Sequence, residues 1–380
     1  MNIPSKLPTT SQSIFTIMSA MAGENQAINL SQGFPNFPSD PILIDFVQKA
    51  MRDGYNQYAP MAGDHTLREM IAQKVNRLYH KKYRPESEIT ITAGATQAIF
   101  TVLAAMIHRG DEVIVFTPAY DCYEPTIQLF GGNVVKVQLS APLYAPPWEE
   151  VSDRISEKTK MIIINSPHNP SGMLLSEDDM LQLQTLVEKH DLLVLSDEVY
   201  EHMVFDGALH QSAARFEGLS ERTFITASFG KTFHNTGWKM GYCLAPEPLM
   251  REFQKVHQFN VFCVNHPVQK ALTWYMEDPS HYLNLPELYQ QKRDFFISQL
   301  EGSKFKIYPS KGTYFQLLDY SEISSEGDIA FAERLTKDHK VATIPTSVFN
   351  ADQTDFKQIR VCFAKTEETL RAAGEILRQL

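Results

Sequence analysis

The sequence predicts an α/β protein: a large domain on a mostly parallel sheet with helices on both faces, joined to a smaller α+β unit. Three observations carry that expectation. Between about Glu88 and Ser228, six short β-rich runs alternate with helical stretches, as strands joined by crossover helices do. After about Pro267 the order changes to long polar helices with isolated strands. The 380 residues also exceed what one hydrophobic core ordinarily reaches.

In chain order, the first thirty or so residues are weakly periodic and end in Asn29-Leu-Ser-Gln-Gly33-Phe-Pro-Asn-Phe-Pro38, whose glycine and prolines favour an extended loop. They are expected to form an arm. Asp40 as cap, Pro41 at the first helical position and Gly54 past the last turn bracket a helix with Leu43, Ile44, Phe46 and Val47 on its apolar face. Strands are expected at Ile89–Thr92, Val113–Phe116, Val134–Val137, Met161–Ile164, Leu192–Leu195 and Phe224–Ala227. The proline-rich stretch from Ser140 to Pro147 reads as a surface crossing, and no internal repeat or low-complexity tract is found. Beyond it, a strand at Tyr314–Leu318, a helix near Ile329–Leu335, a strand near Ile359–Phe363 and a closing helix make up the smaller unit. The expected division is 1–40 as arm and part of the small domain, 41–270 as the large domain and 271–380 as the small one.

With 45 acidic against 35 basic side chains the net charge is −10, which disfavours nucleic acid and anionic membranes as partners. Cys122, Cys243, Cys263 and Cys362 are far apart without C-x-x-C spacing and read as buried reduced thiols. No basic stretch leads into an apolar run after Met1, and no apolar window nears the ~18 residues of a membrane span. A soluble cytoplasmic protein is the expectation.

Ligand groups in open α/β sheets gather past the carboxyl ends of strands. Ile89–Thr92 is followed by Ala93-Gly94-Ala95-Thr96 and an apolar helix, Gln97–Ile107. Helix amides and the Thr96 hydroxyl there can hold a phosphate, although Gly-Ala-Thr is also an ordinary strand-to-helix turn. Met161–Ile164 leads into Asn165-Ser-Pro-His-Asn169-Pro-Ser-Gly172. Turn chemistry explains that segment, yet two prolines fix the chain around Asn169 and aim its amide. Leu192–Leu195 ends in Ser196-Asp197-Glu198-Val-Tyr200, setting a carboxylate at the end of a buried strand. Asp197 is then either a helix cap or the partner of a protonated ring nitrogen in a heteroaromatic cofactor. His168 and His202 read as satisfied local histidines rather than ligands, and no metal site is expected.

Phe224–Ala227 runs into Ser228-Phe-Gly-Lys231, and the chain continues to Lys239-Met-Gly241. Ser-x-x-Lys arises by chance in a chain of this length. Its setting is more telling, because Lys231 and Lys239 lie among Phe229, Phe233, Trp238 and glycines, where a cationic amine is costly unless neutralised or used. A desolvated lysine is an imine-forming nucleophile, and a second cation beside it suits a phosphate. Arg360 stands among apolar strand residues, either as an ordinary surface side chain or as an inward guanidinium matched to a substrate carboxylate by two parallel hydrogen bonds.

Together, Gly94-Ala-Thr96, Asn165 to Gly172, Asp197-Glu-Val-Tyr200, Ser228-x-x-Lys231 to Lys239-x-Gly241 and Arg360 stand in the order of the class I pyridoxal-phosphate-dependent aminotransferases, and the resemblance spans nearly the whole chain. Ser31-Gln-Gly-Phe-Pro35, Asn56-Gln-Tyr58, Asp121-Cys-Tyr-Glu-Pro125, Gly230-Lys-Thr-Phe233 and Thr236-Gly-Trp-Lys239 are most similar to the kynurenine/glutamine transaminase and bacterial methionine aminotransferase branch. The resemblance implies a fold-type-I transferase whose large domain holds a mostly parallel seven-stranded sheet. It also implies a homodimer with its sites at the subunit interface. By the same resemblance Lys231 binds the aldehyde of pyridoxal 5′-phosphate and then serves as general base, and Tyr58 reaches the cofactor phosphate of the neighbouring subunit. Tyr120 would stack on the ring, Asn169 and Tyr200 would bond its phenolic oxygen, and Asp197 its nitrogen. Gly94, Ala95, Thr96, Ser228 and Lys239 would hold the phosphate, while Arg360, with Asn169 and the Gly33 backbone, would clamp the substrate carboxylate.

Departures from the family pattern narrow the substrate. Lys239 stands where aspartate-type members carry arginine, and Ala95 offers only its amide where some members have a hydroxyl. No arginine occurs between Phe253 and Lys292, where dicarboxylate-specific members place a second one; His257, Phe259, Phe262, Cys263 and Val264 lie there instead. The expected donor is an apolar, aromatic or sulfur-containing L-amino acid, methionine foremost, with phenylalanine, tyrosine, glutamine or kynurenine also in view. A 2-oxo acid would accept the amino group in a ping-pong reaction. A carbon-sulfur β-lyase on the same fold is an alternative that these motifs scarcely separate. A cofactor-sensing regulator with a DNA-binding module is disfavoured, because the family-like segment begins within about thirty residues of Met1 on an acidic chain.

Overall fold

The computed structural model describes residues 3–8, 10 and 12–380; the arm expectation for Met1, Asn2, Thr9 and Ser11 lies outside them. Its central sheet has seven strands: β1 (Ile89–Thr92), β2 (Glu112–Thr117), β3 (Asn133–Gln138), β4 (Thr159–Asn165), β5 (Leu193–Asp197), β6 (Thr223–Ser228) and β7 (Gly241–Leu244). The order across the sheet is β1-β7-β6-β5-β4-β2-β3, all parallel save β7, which runs antiparallel between β1 and β6. The six anticipated strands are present, Ile89–Thr92 with the expected ends and the other five with ends shifted by one or two residues. β7 is the seventh strand that the resemblance implies; pattern alone did not locate it, since four residues after a glycine-rich motif carry too little periodicity to declare a strand.

Strand apolarity on both sides follows from coverage of both faces. Successive residues point to opposite cores. Val113, Ile163 and Leu195 pack with Ala98, Val102 and Leu103 of the helix Ala95–Met106, whereas Ile114, Ile162 and Val194 join Met180, Leu183 and Val187 of the helix Glu177–Lys189.

A second, antiparallel sheet follows, with β8 (Lys306–Ile307), β9 (Phe315–Asp319), β10 (Ile344–Pro345) and β11 (Gln358–Cys362) in the order β10-β11-β9-β8. The helices Asp328–Lys337 and Glu367–Leu377 complete the expected pattern.

The N-terminal arm is more ordered than expected. Residues Ile14–Glu24 form a helix that buries Met18 and Ala22, and Ile28–Asn29 then pair in parallel with Val341–Ala342. Ile14, Phe15, Met18, Met21 and Ala22 do recur at helical spacing, a signal hidden by the apolar residues on its other side. The helix Pro41–Arg52 forms as its caps predict, with an Asp40 carboxylate oxygen accepting from the Ile42 amide at 2.8 Å. Its apolar face needs correction: Leu43 is buried, but Ile44 is 40% exposed and turns outward with Ile42 and Met51. The cysteines are free, as expected, but only Cys243 and Cys362 are buried; Cys122 and Cys263 are half-buried. Among the described residues no helix is long and apolar enough to cross a membrane.

Candidate active site

Strand register gathers the polar residues that follow the apolar runs. Asn165 lies beside Asp197, while Thr92 and Ser228 both lie beside Gly241. The carboxyl ends of the parallel strands and the amino end of β7 therefore open onto one cavity of about 280 Å³. Gly33, Gly94, Ala95, Thr96, Tyr120 and Asn169 line it, as do Asp197, Tyr200, Ser228, Lys231, Lys239 and Arg360. Tyr58 does not: it is 82% exposed on the outer surface, edge-on to the Phe262 ring at 5.4 Å.

At one end of the cavity three backbone segments converge. Gly94 takes φ +81 and starts the helix Ala95–Met106, whose first-turn amides have no intrahelical acceptor. A Cβ on Gly94 would sit 3.7 Å from the Lys239 ammonium. One on Gly241 would fall 2.6 Å from the Ala227 carbonyl and 2.9 Å from the Ala95 nitrogen, so only glycine fits there. Lys239 itself adopts φ +56 and is exposed rather than sunk among apolar residues, which corrects the expectation of a buried second cation. Free helix amides, an ammonium and the Ser228 hydroxyl around one spot are the donor set a phosphate dianion requires. The Gly94 turn is thus a strand-to-helix turn whose donors also suit an anion.

In the middle lies Asp197, 3% exposed. One of its carboxylate oxygens accepts from the Tyr123 hydroxyl at 2.5 Å and the other from the Val199 amide at 3.3 Å. Burial raises its pKa to about 6, and those two donors oppose the rise. An aromatic cation seated here would keep it ionised. Tyr120 stands opposite, its hydroxyl 3.4 Å from that of Thr96 and held neutral by burial.

Lys231 opens onto the cavity from the short helix Phe229–Thr232. Its Nζ donates to the Tyr314 hydroxyl at 2.9 Å and the Gly33 carbonyl at 3.1 Å. Burial lowers its pKa to about 8, with Arg360 and Lys239 pushing the same way. At neutral pH a usable fraction of the amine is therefore free of its proton, the condition for a nucleophile or base.

The far end holds Arg360, on β11 and only 1% exposed, so it is not a surface residue. Its guanidinium lies between the rings of Phe315, at 3.9 Å, and Phe15, at 5.0 Å. Nη1 donates to the Asn169 side-chain oxygen and Nη2 to the Ser31 carbonyl, both at 2.9 Å, while Nε is buried with no partner among the described residues. Burial lowers its pKa only to about 10, so it stays cationic at neutral pH. The bond from Arg360 fixes which way the Asn169 amide points, and the Asn169 backbone N–H donates to Asn165 at 2.8 Å.

The loop after β5 is held from behind by a buried ionic cluster. Burial alone would raise the Glu201 pKa, but Lys74, with His202 and the Tyr79 hydroxyl, brings it well below the usual carboxylate range; the Tyr242 hydroxyl donates to the same carboxylate at 2.8 Å. His168 is satisfied by Ser171 and the Pro118 carbonyl, and His202 abuts Lys74. Asp206, four residues after His202, turns away onto Arg293.

Sequence reasoning missed Tyr123, Tyr314, Phe15 and Phe315. Tyr123 lay within a recognised motif, and Phe15 within the unread helix; nothing local marked Tyr314 or Phe315.

Comparison with known proteins agrees with this geometry. The family model for aminotransferases of class I and II matches residues 25–377. The methionine aminotransferase of Escherichia coli (strain K12) is 48% identical over 377 residues, covering 99% of this chain and 98% of the relative. Human kynurenine–oxoglutarate transaminase 3 is 35% identical, covering 94% of this chain and 86% of the relative. The crystal structure of Escherichia coli YbdL, assigned a methionine aminotransferase function, superposes with a TM-score of 0.98 at 48% identity over 100% of both chains. That of N-succinyldiaminopimelate aminotransferase from Mycobacterium tuberculosis gives 0.95 at 32% identity, again over 100% of both.

Proposed function

The chain belongs to the class I and II aminotransferases of fold type I, and from that premise we propose that it moves the amino group of methionine, or of an apolar or aromatic amino acid of similar bulk, to a 2-oxo acid, with Lys231 at the reacting centre. The family's cofactor, pyridoxal 5′-phosphate, supplies an aldehyde that takes up the amino group and a ring that accepts the electrons left on Cα. One observation carries the reading. Lys231, with a pKa lowered to about 8, shares a single cavity with a buried carboxylate, an anion cradle and an inward arginine.

The proposed roles follow from the donors and acceptors available. Arg360 binds the substrate carboxylate with the guanidinium edge that Asn169 and Ser31 leave open, assisted by the Gly33 backbone. Asp197, as an anion, would keep the cofactor ring nitrogen protonated, and the Asn169 amide and Tyr200 hydroxyl would donate to the phenolic oxygen. Tyr120 would pack against the ring. The Gly94–Thr96 turn, Ser228 and Lys239 would hold the phosphate. Lys231 Nζ takes the Cα proton and returns it.

Methionine is favoured because the likeness to a methionine aminotransferase joins the apolar residues Phe15, Ile99 and Met240 in the cavity lining. Dicarboxylates are disfavoured by the missing second arginine. A homodimer is part of the proposal: Tyr58, Phe262, Ile42, Ile44 and Met51 form exposed apolar surface, and a second copy would cover it while receiving Tyr58. The proposed division is 41–270 as cofactor domain and 271–380 with part of 1–40 as small domain, supported by the separate seven-stranded and four-stranded sheets and by the pairing of Ile28–Asn29 with Val341–Ala342. Cytoplasmic location is proposed from four unbridged cysteines.

Lys231→Ala should abolish both transamination of methionine and the visible absorption of bound cofactor. Retention of either would refute the role of Lys231. A donor panel in which aspartate outruns methionine would refute the substrate class.

A further inference from the structure

We propose that Tyr314 is a further functional residue of this site: its hydroxyl holds the Lys231 amine, when that amine is not bound to cofactor, so that the lone pair is left for the substrate proton. The inference rests on Lys231 being the reacting lysine.

Tyr314 immediately precedes β9 and is fully buried. Its ring meets Tyr200 and Phe315 edge-on at 5.2 and 5.0 Å and is tilted against Tyr289 at 5.8 Å, so the hydroxyl has one place to be. That hydroxyl donates to the Gly33 carbonyl, leaving its oxygen lone pairs to face Lys231 Nζ at 2.9 Å. Lys231 also donates to Gly33 at 3.1 Å.

A neutral amine has two N–H bonds and one lone pair. Tyr314 and Gly33 supply two acceptors and engage both N–H bonds, so the remaining tetrahedral position is the lone pair. With Gly33 alone, Nζ would swing about the end of a flexible four-carbon chain, and the base would be present but unaimed. Burial pushes the Tyr314 phenol well up, so it stays a neutral holder and supplies no proton to the lysine. When Nζ is an ammonium, the same oxygen accepts from a charged donor, which opposes the pull of burial on the Lys231 proton. The holder is also tied to the carboxylate clamp, because the Phe363 amide just past β11 donates to the Tyr314 carbonyl at 3.0 Å.

Tyr314→Phe removes only the hydroxyl. In the apoprotein, competitive labelling of Lys231 with trace acetic anhydride reads the amine directly, and its midpoint should fall by about one pH unit, as expected on losing an acceptor to a charged donor. In the holoenzyme, kcat with methionine should fall on the order of tenfold or more while KM holds, and α-deuterated methionine should show a larger primary isotope effect. A merely structural role would lower stability and leave both the labelling midpoint and the isotope effect unchanged, and that result overturns the proposal. A second measurement needs no Tyr314 variant. Among the 15 tyrosines of [ζ-13C]tyrosine-labelled apoprotein, one resonance should titrate near pH 8 and cease to do so in Lys231→Ala; if none titrates, the proposal fails. Failure of the underlying reading looks different, since Lys231→Ala would then retain turnover.

Discussion

Replacing Arg360 by lysine keeps one positive charge and removes the planar fork. The guanidinium is 1% exposed and held between Phe315 and Phe15, with Nη1 and Nη2 already committed to Asn169 and Ser31. A single ammonium cannot keep those bonds and also span two carboxylate oxygens. At least one charge-assisted hydrogen bond is lost, about 1.5–3 kcal/mol. At about 1.4 kcal/mol per decade, kcat/KM for methionine should fall roughly 10- to 160-fold. The assay compares methionine with 3-(methylthio)propylamine, the same molecule without its carboxylate, by single-turnover loss of the bound-cofactor absorption. The amine should react at nearly equal rates with wild type and Arg360→Lys. If both compounds slow by the same factor, or if methionine does not slow, Arg360 does not bind the carboxylate.

Lys74→Met takes the ammonium away from the buried Glu201 carboxylate, leaving the Tyr79 and Tyr242 hydroxyls at 2.7 and 2.8 Å and the His202 ring at 3.6 Å, and should cost about 3–5 kcal/mol of stability. A urea midpoint shifted by less than about 1 kcal/mol equivalent would sink that account. Cofactor capture by the apoprotein should depend on pH in two steps. Asp197 has its folded pKa raised from 3.8 to about 6, so its protonated form is favoured by the fold: its contribution to apoprotein stability is full below 3.8 and lost as pH rises through about 6. The carboxylate needed for a protonated ring nitrogen appears over that same rise, so affinity should climb through about pH 6. Covalent capture, which needs neutral Lys231, should climb further through about pH 8. A flat reconstitution profile between pH 5 and 9 would contradict both assignments. Tyr123→Phe removes a hydrogen bond that stabilises the Asp197 anion, so the lower limb should move to higher pH.

Much of this arrangement was legible in the chain. The β-branched runs marked six strands, and because a buried apolar strand must end before its first polar group, Asp197 and Ser228 were found at strand ends and Lys231 beside one. The glycines at 94 and 241 were noticed as motif members; the reason for Gly241, a Cβ within 2.6 Å of a backbone carbonyl, needed coordinates. The helix carrying Phe15 and the strand Gly241–Leu244 were missed because their stabilisation comes from what they lie against rather than from local pattern.

What the sequence determined by itself is therefore the set of elements and the chemical groups at their ends, since hydrophobic periodicity, caps and turn residues act over a few neighbouring positions. Tertiary structure decided which groups meet. Asn169 and Arg360 are 191 positions apart, and Lys231 and Tyr314 are 83 apart. Their contacts depend on strand order and on how the second sheet lies against the first, which local pattern does not encode. For the same reason Arg360, whose neighbours in the chain fit a surface strand as well as a buried one, became an inward cation only when Phe15 and Phe315 packed against its guanidinium.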